Sequence, residues 1–160
     1  NDVERQYGNS DIDDPDGDVK NGFIGYFTKL NGLEVLSGFY FKENKLYAGV
    51  YLLDEKHTNS NDYLDDYQKW KDLLTKKYGV PDNDETYWKD DLFKDNYSSW
   101  GTAVGYGHLI KYANWKDEEN DIECSITGDN FNITVKIFYE SVELQDWIEE
   151  NKEEDNLEDF

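Results

Sequence analysis

Methionine is absent from these 160 residues, cysteine occurs once, and proline and histidine occur twice each. A lone Cys124 excludes an intramolecular disulfide and any Cys-x-x-Cys redox or zinc motif. His57 and His108 fall in different predicted elements, with no metal-ligand spacing between them. Lysine and arginine together number 16 against 37 Asp and Glu, a formal charge of −21. A chain so poor in bases lacks the clusters that nucleic acid or anionic lipid would require, so neither is expected as a partner. There is no run of 18 apolar residues to span a bilayer, no glycine-rich phosphate loop and no serine elbow.

What is present is unevenly placed. Residues 1–18 hold seven acids and one base, and residues 143–160 hold nine acids and one base. The stretch between them is only mildly acidic, which suits a soluble domain. Residues 1–20 gather Asp11, Asp13, Asp14, Asp16 and Asp18 around Pro15 and Gly17 with little to bury, and read as an acidic linker or spacer. Residues 21–150 read as a single domain and 151–160 as an acidic tail. Leu, Ile, Val and Phe supply 37 residues, a fraction bordering on that of disordered chains when charge is high. Thirteen Tyr and five Trp tip the balance toward a fold with an aromatic core. The chain opens on Asn1 and runs through a polar stretch, which reads as a processed product whose signal peptide has gone.

The expected fold class is α+β: an antiparallel sheet of five or six strands with one main helix packed on one face and a C-terminal helix. Strands are predicted at about 23–30, 33–41 and 45–53, with Asn31-Gly32 as a hairpin turn, because both central positions of a type I′ turn need positive φ. Three more are predicted at about 108–115, 121–127 and 131–139, the last two joined by Gly128-Asp129-Asn130. Tyr63, Tyr67, Trp70, Leu74 and Tyr78 recur at intervals of 3 and 4, which predicts a helix over 61–78 packed through Tyr67, Trp70 and Leu74. Ser60 or Asn61 is the expected cap, Lys76 and Lys77 suit the negative end of the dipole, and Gly79 and Pro81 stop it. Residues 82–100 carry no clear pattern, 98–106 suggest a short helix, and a final helix is expected from about Glu143.

Few residues invite chemistry. The five aspartates at 11–18 suggest calcium, but aligning Gly17 with the glycine of an EF-hand loop puts Ile12 and Phe23 at the first and last ligand positions, where acids are required. His57 follows Asp54 and Glu55, an unremarkable neighbourhood in so acidic a chain. Cys124 alternates in phase with Ile122 and Ile126, and so points inward rather than acting as a nucleophile. The expectation is therefore no catalytic residue, no metal and no cofactor. The best candidates for ligand binding are Tyr47 and Tyr51, which share a strand face with Gly49 between them, leaving a gap flanked by two rings. The competing expectation is that both rings pack under the helix at 61–78.

Phe41-Lys42-Glu43-Asn44-Lys45-Leu46, the helix end Lys77-Tyr78-Gly79-Val80-Pro81, Trp88, Trp100-Gly101-Thr102, Trp115, Thr127-Gly128-Asp129-Asn130 and Ile137-Phe138-Tyr139-Glu140-Ser141 together resemble a group of uncharacterised lipoproteins of clostridia and related Gram-positive bacteria. The resemblance covers roughly residues 40–141. It implies export and tethering through a lipidated cysteine upstream of Asn1, with residues 1–20 as spacer, and it implies no activity. The expected function is a non-enzymatic, extracytoplasmic binding module of the cell envelope, membrane-anchored or secreted, whose partner is a protein, peptide or glycan. The alternative is an acidic cytosolic inhibitor that mimics nucleic acid, although most of the net negative charge lies in the two ends and not over a folded face.

Overall fold

A computed structural model of the chain describes residues 12–13 and 22–150. The acidic tail at 151–160 and most of the acidic spacer, including the calcium candidates Asp11, Asp14, Asp16 and Asp18, lie outside these described residues. The architecture is α+β, with one antiparallel sheet. In chain order the strands are β1 (Ile12–Asp13), β2 (Gly22–Leu30), β3 (Leu33–Lys42), β4 (Lys45–Leu53), β5 (Asn83–Trp88), β6 (Leu109–Lys116), β7 (Asn120–Asp129) and β8 (Asn132–Ser141). The helices are α1 (Asn61–Tyr78) and α2 (Trp100–Gly105), the latter preceded by a single 3-10 turn, Tyr97–Ser99. Residues 145–150 are also helical.

The strand order is β1-β2-β3-β4-β8-β7-β6-β5. The first half, β1 to β4, is a meander followed by α1; the second, β5 to β8, keeps neighbouring order with α2 inserted between β5 and β6, and the halves meet where β4 pairs with β8. The sheet thus has seven long strands and a two-residue eighth, more than the five or six expected. The added long strand is β5. Every residue of it but Trp88 is exposed, so it carries no alternating apolar signal, and it is held by its full register with β6 from Asn83↔Asn114 to Trp88↔Leu109. The added short strand, β1, pairs with β2 from within the segment expected to be linker.

The helix over 61–78 forms because its apolar stripe meets the second half of the sheet. Leu64, Tyr67, Trp70 and Leu74 are buried there with Leu109, Trp115, Ile122, Cys124, Ile126, Val135 and Ile137. Its start departs from expectation, since Ser60 makes no side-chain cap. Asn61 instead accepts from the Gly101 N–H (2.7 Å) and donates to the Tyr97 carbonyl (3.0 Å), fastening α1 to α2. Gly101 allows this approach, because a Cβ there would stand 2.3 Å from the Ser60 carbonyl carbon. The end behaves as expected: Gly79 turns out at φ 92° and its N–H bonds the Thr75 carbonyl, while the Trp115 indole N–H donates to the Gly79 carbonyl at 2.9 Å.

The β7–β8 turn is one step later than expected. Gly128 and Asp129 remain in β7, and Asn130 and Phe131 take the positive φ values of 47° and 66°. A phenylalanine in that region is strained, and the Phe131 N–H to Gly105 carbonyl bond (2.9 Å) anchors the tip on α2. The final helix also begins later than Glu143, at residue 145.

Candidate functional site

Antiparallel pairing carries one row of side chains across the α1 side of the sheet: Ile24, Phe39, Gly49, Tyr139, Ile122 and Trp115. Five large apolar residues and one glycine share this row, and the glycine lies at the seam between the halves. A hollow of about 390 Å³ opens there, lined by Tyr47, Gly49, Tyr51, Lys77 and Tyr139 among others, and that volume is within the range of small-ligand sites.

The glycines of the sheet differ in why they lack side chains. A Cβ at Gly38 would fall 2.2 Å from the Phe23 ring, one at Gly25 would fall 2.9 Å from Leu36, and one at Gly128 would fall 2.0 Å from the Val104 carbonyl oxygen. Backbone forbids a side chain at Gly128, and at Gly38 and Gly25 a side chain would displace Phe23 or Leu36. At Gly49 a Cβ would meet only the Gly38 carbonyl oxygen, at an ordinary 3.7 Å. Nothing in the described fold requires glycine at 49.

The two predicted tyrosines line this hollow, by different routes. Tyr51 sits edge-on to Tyr139 (ring centroids 6.4 Å apart, 84° between planes) and packs partly against the α1 core. Tyr47 does not pack under α1. Opposite it the register shifts, with Tyr40 pairing Ala48 and Phe41 pairing Leu46, so Tyr47 is the extra residue of a bulge. Its ring lies 6.2 Å from Tyr40, and burial, with smaller contributions from Tyr40 and Glu140, raises its phenol above the usual range. The expectation that both rings pack beneath the helix therefore holds for Tyr51 only. Sequence reasoning missed Lys77, Asn120, Tyr139 and Ser141, which line the same hollow from α1, β7 and β8. No local pattern could have found them, because the pairing of β4 with β8 brings them together. Burial raises the Tyr139 phenol, with Tyr78 next to it adding to the effect.

The other titratable candidates sit elsewhere. His57 finds its partner not in Asp54 or Glu55 but in Asp66, one turn into α1, at 2.6 Å between Nε2 and Oδ2. Asp66 is 2% exposed and also accepts from Lys69 at 2.9 Å. Tyr63 stacks edge-on to the imidazole (4.7 Å), and its hydroxyl accepts the His57 backbone N–H at 3.3 Å. The cluster pins the β4–α1 loop to the helix. His108 lies in an aromatic stack with Phe93 and Tyr106. Cys124 points inward, as its phase predicts, and burial pushes its thiol up to about 12, so no thiolate is available near neutrality. Among the described residues no group of three or more His, Cys, Asp or Glu is placed to hold a metal ion, and no helix is long and apolar enough to cross a membrane.

Comparison with protein-family models, with curated proteins and with solved structures finds no match to this chain.

Proposed function

We propose that this chain is a non-catalytic binding module of the bacterial cell envelope, holding an elongated ligand, a peptide or a glycan strand, in the cleft over Gly49. The observation that carries the reading is Gly49 itself: an interior strand glycine weakens a sheet, and here the missing side chain leaves open space instead of easing a packing clash. Tyrosine rings on both sides supply amphipathic contact surface at low conformational cost, and Lys77, Asn120 and Ser141 add polar groups at the rim. The non-catalytic part of the reading rests on the sequestered thiol of Cys124 and the engagement of His57 with Asp66. Export and tethering rest on the resemblance of residues 40–141 to clostridial lipoproteins. A precursor gene encoding a signal peptide that ends in a lipid-modified cysteine would support that part, and one encoding a plain cytosolic start would sink it.

The test of the cleft is a blocked variant. Gly49→Leu puts an isobutyl group between Tyr47, Tyr51 and Tyr139 without requiring backbone movement. Wild-type and variant protein would be passed over peptide and glycan arrays, with far-ultraviolet circular dichroism to confirm that both are folded. Ligands held by the wild type and lost by the variant support the proposal. Ligands held equally by both place binding elsewhere on the molecule and refute it.

A further inference from the structure

The hollow over Gly49 continues beyond it. A second hollow of about 230 Å³ shares Tyr51, Lys77 and Tyr139 with the first, and a third of about 370 Å³ shares Asn31, Trp70 and Leu73 with the second. The three form one groove beside α1, from Asn31 at the β2–β3 turn to Asn120 and Ser141 at the other end. In a chain with 37 acids and 16 bases, the described residues lining this groove include a single acid, Asp72, and three lysines, Lys69, Lys76 and Lys77.

These groups are not equivalent. Asp72 accepts from Gln68 at 2.7 Å, and Lys69 is engaged by the buried Asp66. Lys76 and Lys77 make no ion pair among the described residues. Lys77 lies 4.7 Å from the centre of the Tyr78 ring, and hydrogen bonding to the Tyr78 side chain, with the field of that group, raises its pKa and keeps it charged. Asp117 adds to that field from outside the groove lining, its carboxylate held by the backbone N–H groups of Glu119 and Asn120 at 2.8 and 2.7 Å. Among the described residues the groove therefore carries three lysines against one acid, with neither Lys76 nor Lys77 in an ion pair, on a strongly acidic molecule.

The apolar lining separates ligand classes. Sugars are held by flat aromatic faces and dense hydrogen bonding, whereas the two hollows beyond Gly49 add aliphatic walls, Leu30, Leu33, Leu73, Leu74 and Ile137, to the rings of Tyr51, Trp70 and Tyr139, with Leu73 42% exposed. Such walls suit the apolar side chains of a peptide, and the two lysines suit its carboxylates. Resting on the reading of the cleft as a ligand site, we infer that the groove holds an extended acidic peptide segment of a partner protein, with aliphatic side chains in the hollows beside Leu73 and carboxylates toward Lys76 and Lys77.

The probes are three fluorescein-labelled dodecapeptides: alternating Glu and Leu, the same peptide with Gln for Glu, and the same with Lys for Glu. Fluorescence anisotropy against the full chain reads the affinity. The acidic peptide should bind at least tenfold more tightly than the Gln peptide, and the Lys peptide should bind least. Raising salt from about 50 to 500 mM should weaken the acidic peptide and leave the Gln peptide nearly unchanged. Lys76→Glu with Lys77→Glu, both exposed positions, should cost the acidic peptide at least tenfold, and Gly49→Leu should weaken it too. Equal binding of the acidic and Gln peptides overturns the acidic assignment while leaving the cleft as a binding site. So does failure of every peptide alongside an array glycan that Gly49→Leu rejects. Acidic-peptide binding indifferent to both variants overturns the groove itself. Two other occupants would also overturn the proposal. A second copy would appear as a dimer in sedimentation, and the chain's own acid-rich end would be revealed by peptide binding only after Glu153, Glu154, Asp155, Glu158 and Asp159 are changed to their amides.

Discussion

Gly49→Ala tests the floor of the cleft through stability alone, with no ligand in hand. A glycine inside a strand costs about 0.5–1 kcal/mol relative to alanine, because the unfolded chain loses more freedom on folding. At residue 49 the new methyl would meet a single backbone oxygen at 3.7 Å, an ordinary contact, so the whole of that gain should appear. For a chain of this length it corresponds to a rise of about 1–4 °C in the thermal midpoint. Gly38→Ala is the matched control, one strand away and on the opposite face of the sheet. Its Cβ would stand 2.2 Å from the Phe23 ring and 2.9 Å from Val50, so the ring must leave the sheet, at a cost of about 1–3 kcal/mol for overpacking. Tryptophan fluorescence during urea unfolding would give both values, provided the slopes match that of the wild type. The reasoning is refuted if Gly49→Ala destabilises by as much as Gly38→Ala, for then the space above residue 49 is filled in solution and no cleft exists.

Trp70 is 1% exposed at the centre of the α1 contact, so Trp70→Ala should lose about 3–5 kcal/mol, and an unchanged midpoint would show that α1 does not dock on β7 and β8. Lys111 is half-buried over the rings of Tyr67 and Trp100, and burial, reinforced by nearby Lys71, lowers its pKa from 10.5. A cation with a depressed folded pKa opposes folding at all pH values below that pKa, and its penalty fades as pH rises to 10.5. Lys111→Met should therefore stabilise the protein near pH 7 and lose its advantage in strong alkali, and a destabilised variant at neutral pH would contradict this. Cys124 should resist Ellman's reagent in the native protein and react once urea unfolds it, and rapid native labelling would mean that the core around β7 opens readily.

Much of the fold is legible in the sequence wherever one face of an element is buried. The spacing of Tyr63, Tyr67, Trp70 and Leu74 gives α1, and the alternation of Ile122, Cys124 and Ile126 gives β7 and its inward face. The signal fails where burial does not mark the element. Asn83-Asp84-Glu85-Thr86-Tyr87-Trp88 reads as loop because a strand at the sheet edge needs only a partner's hydrogen bonds. The β7–β8 turn reads one residue early because Gly128 looks like a turn glycine. Its actual constraint is the Val104 carbonyl that a Cβ would strike, while Phe131 takes the strained turn position instead. In the cleft, alternation along β4 places Gly49 and Tyr51 on one hollow, whereas Tyr47 reaches it as the extra residue of a bulge that leaves no trace in composition. For His57, nearness in sequence pointed to Asp54 and Glu55, whereas the partner comes from the first turns of a helix.

The position of the cleft follows from dimensions as well as from residues. A helix with its side chains is about 10–12 Å across, and neighbouring strands are about 4.8 Å apart, so one helix covers little more than two strands. Helix α1 follows β4 in sequence but settles on β7 and β8, where its tyrosine and tryptophan stripe meets Ile122, Cys124, Ile126 and Ile137. That choice leaves the Gly49 part of β4 uncovered beside it, while Tyr51 and Leu53 still pack against the α1 core. At an uncovered central strand, side chains from the neighbouring rows would ordinarily close over the gap, and Phe39 and Tyr139 stand on either side of residue 49 in position to do so. A valine or isoleucine at 49 would complete the row and seal the seam between the two halves. Glycine there keeps the seam open, and the rim that results draws residues from five separate elements, β3, β4, α1, β7 and β8, which only the finished sheet brings together.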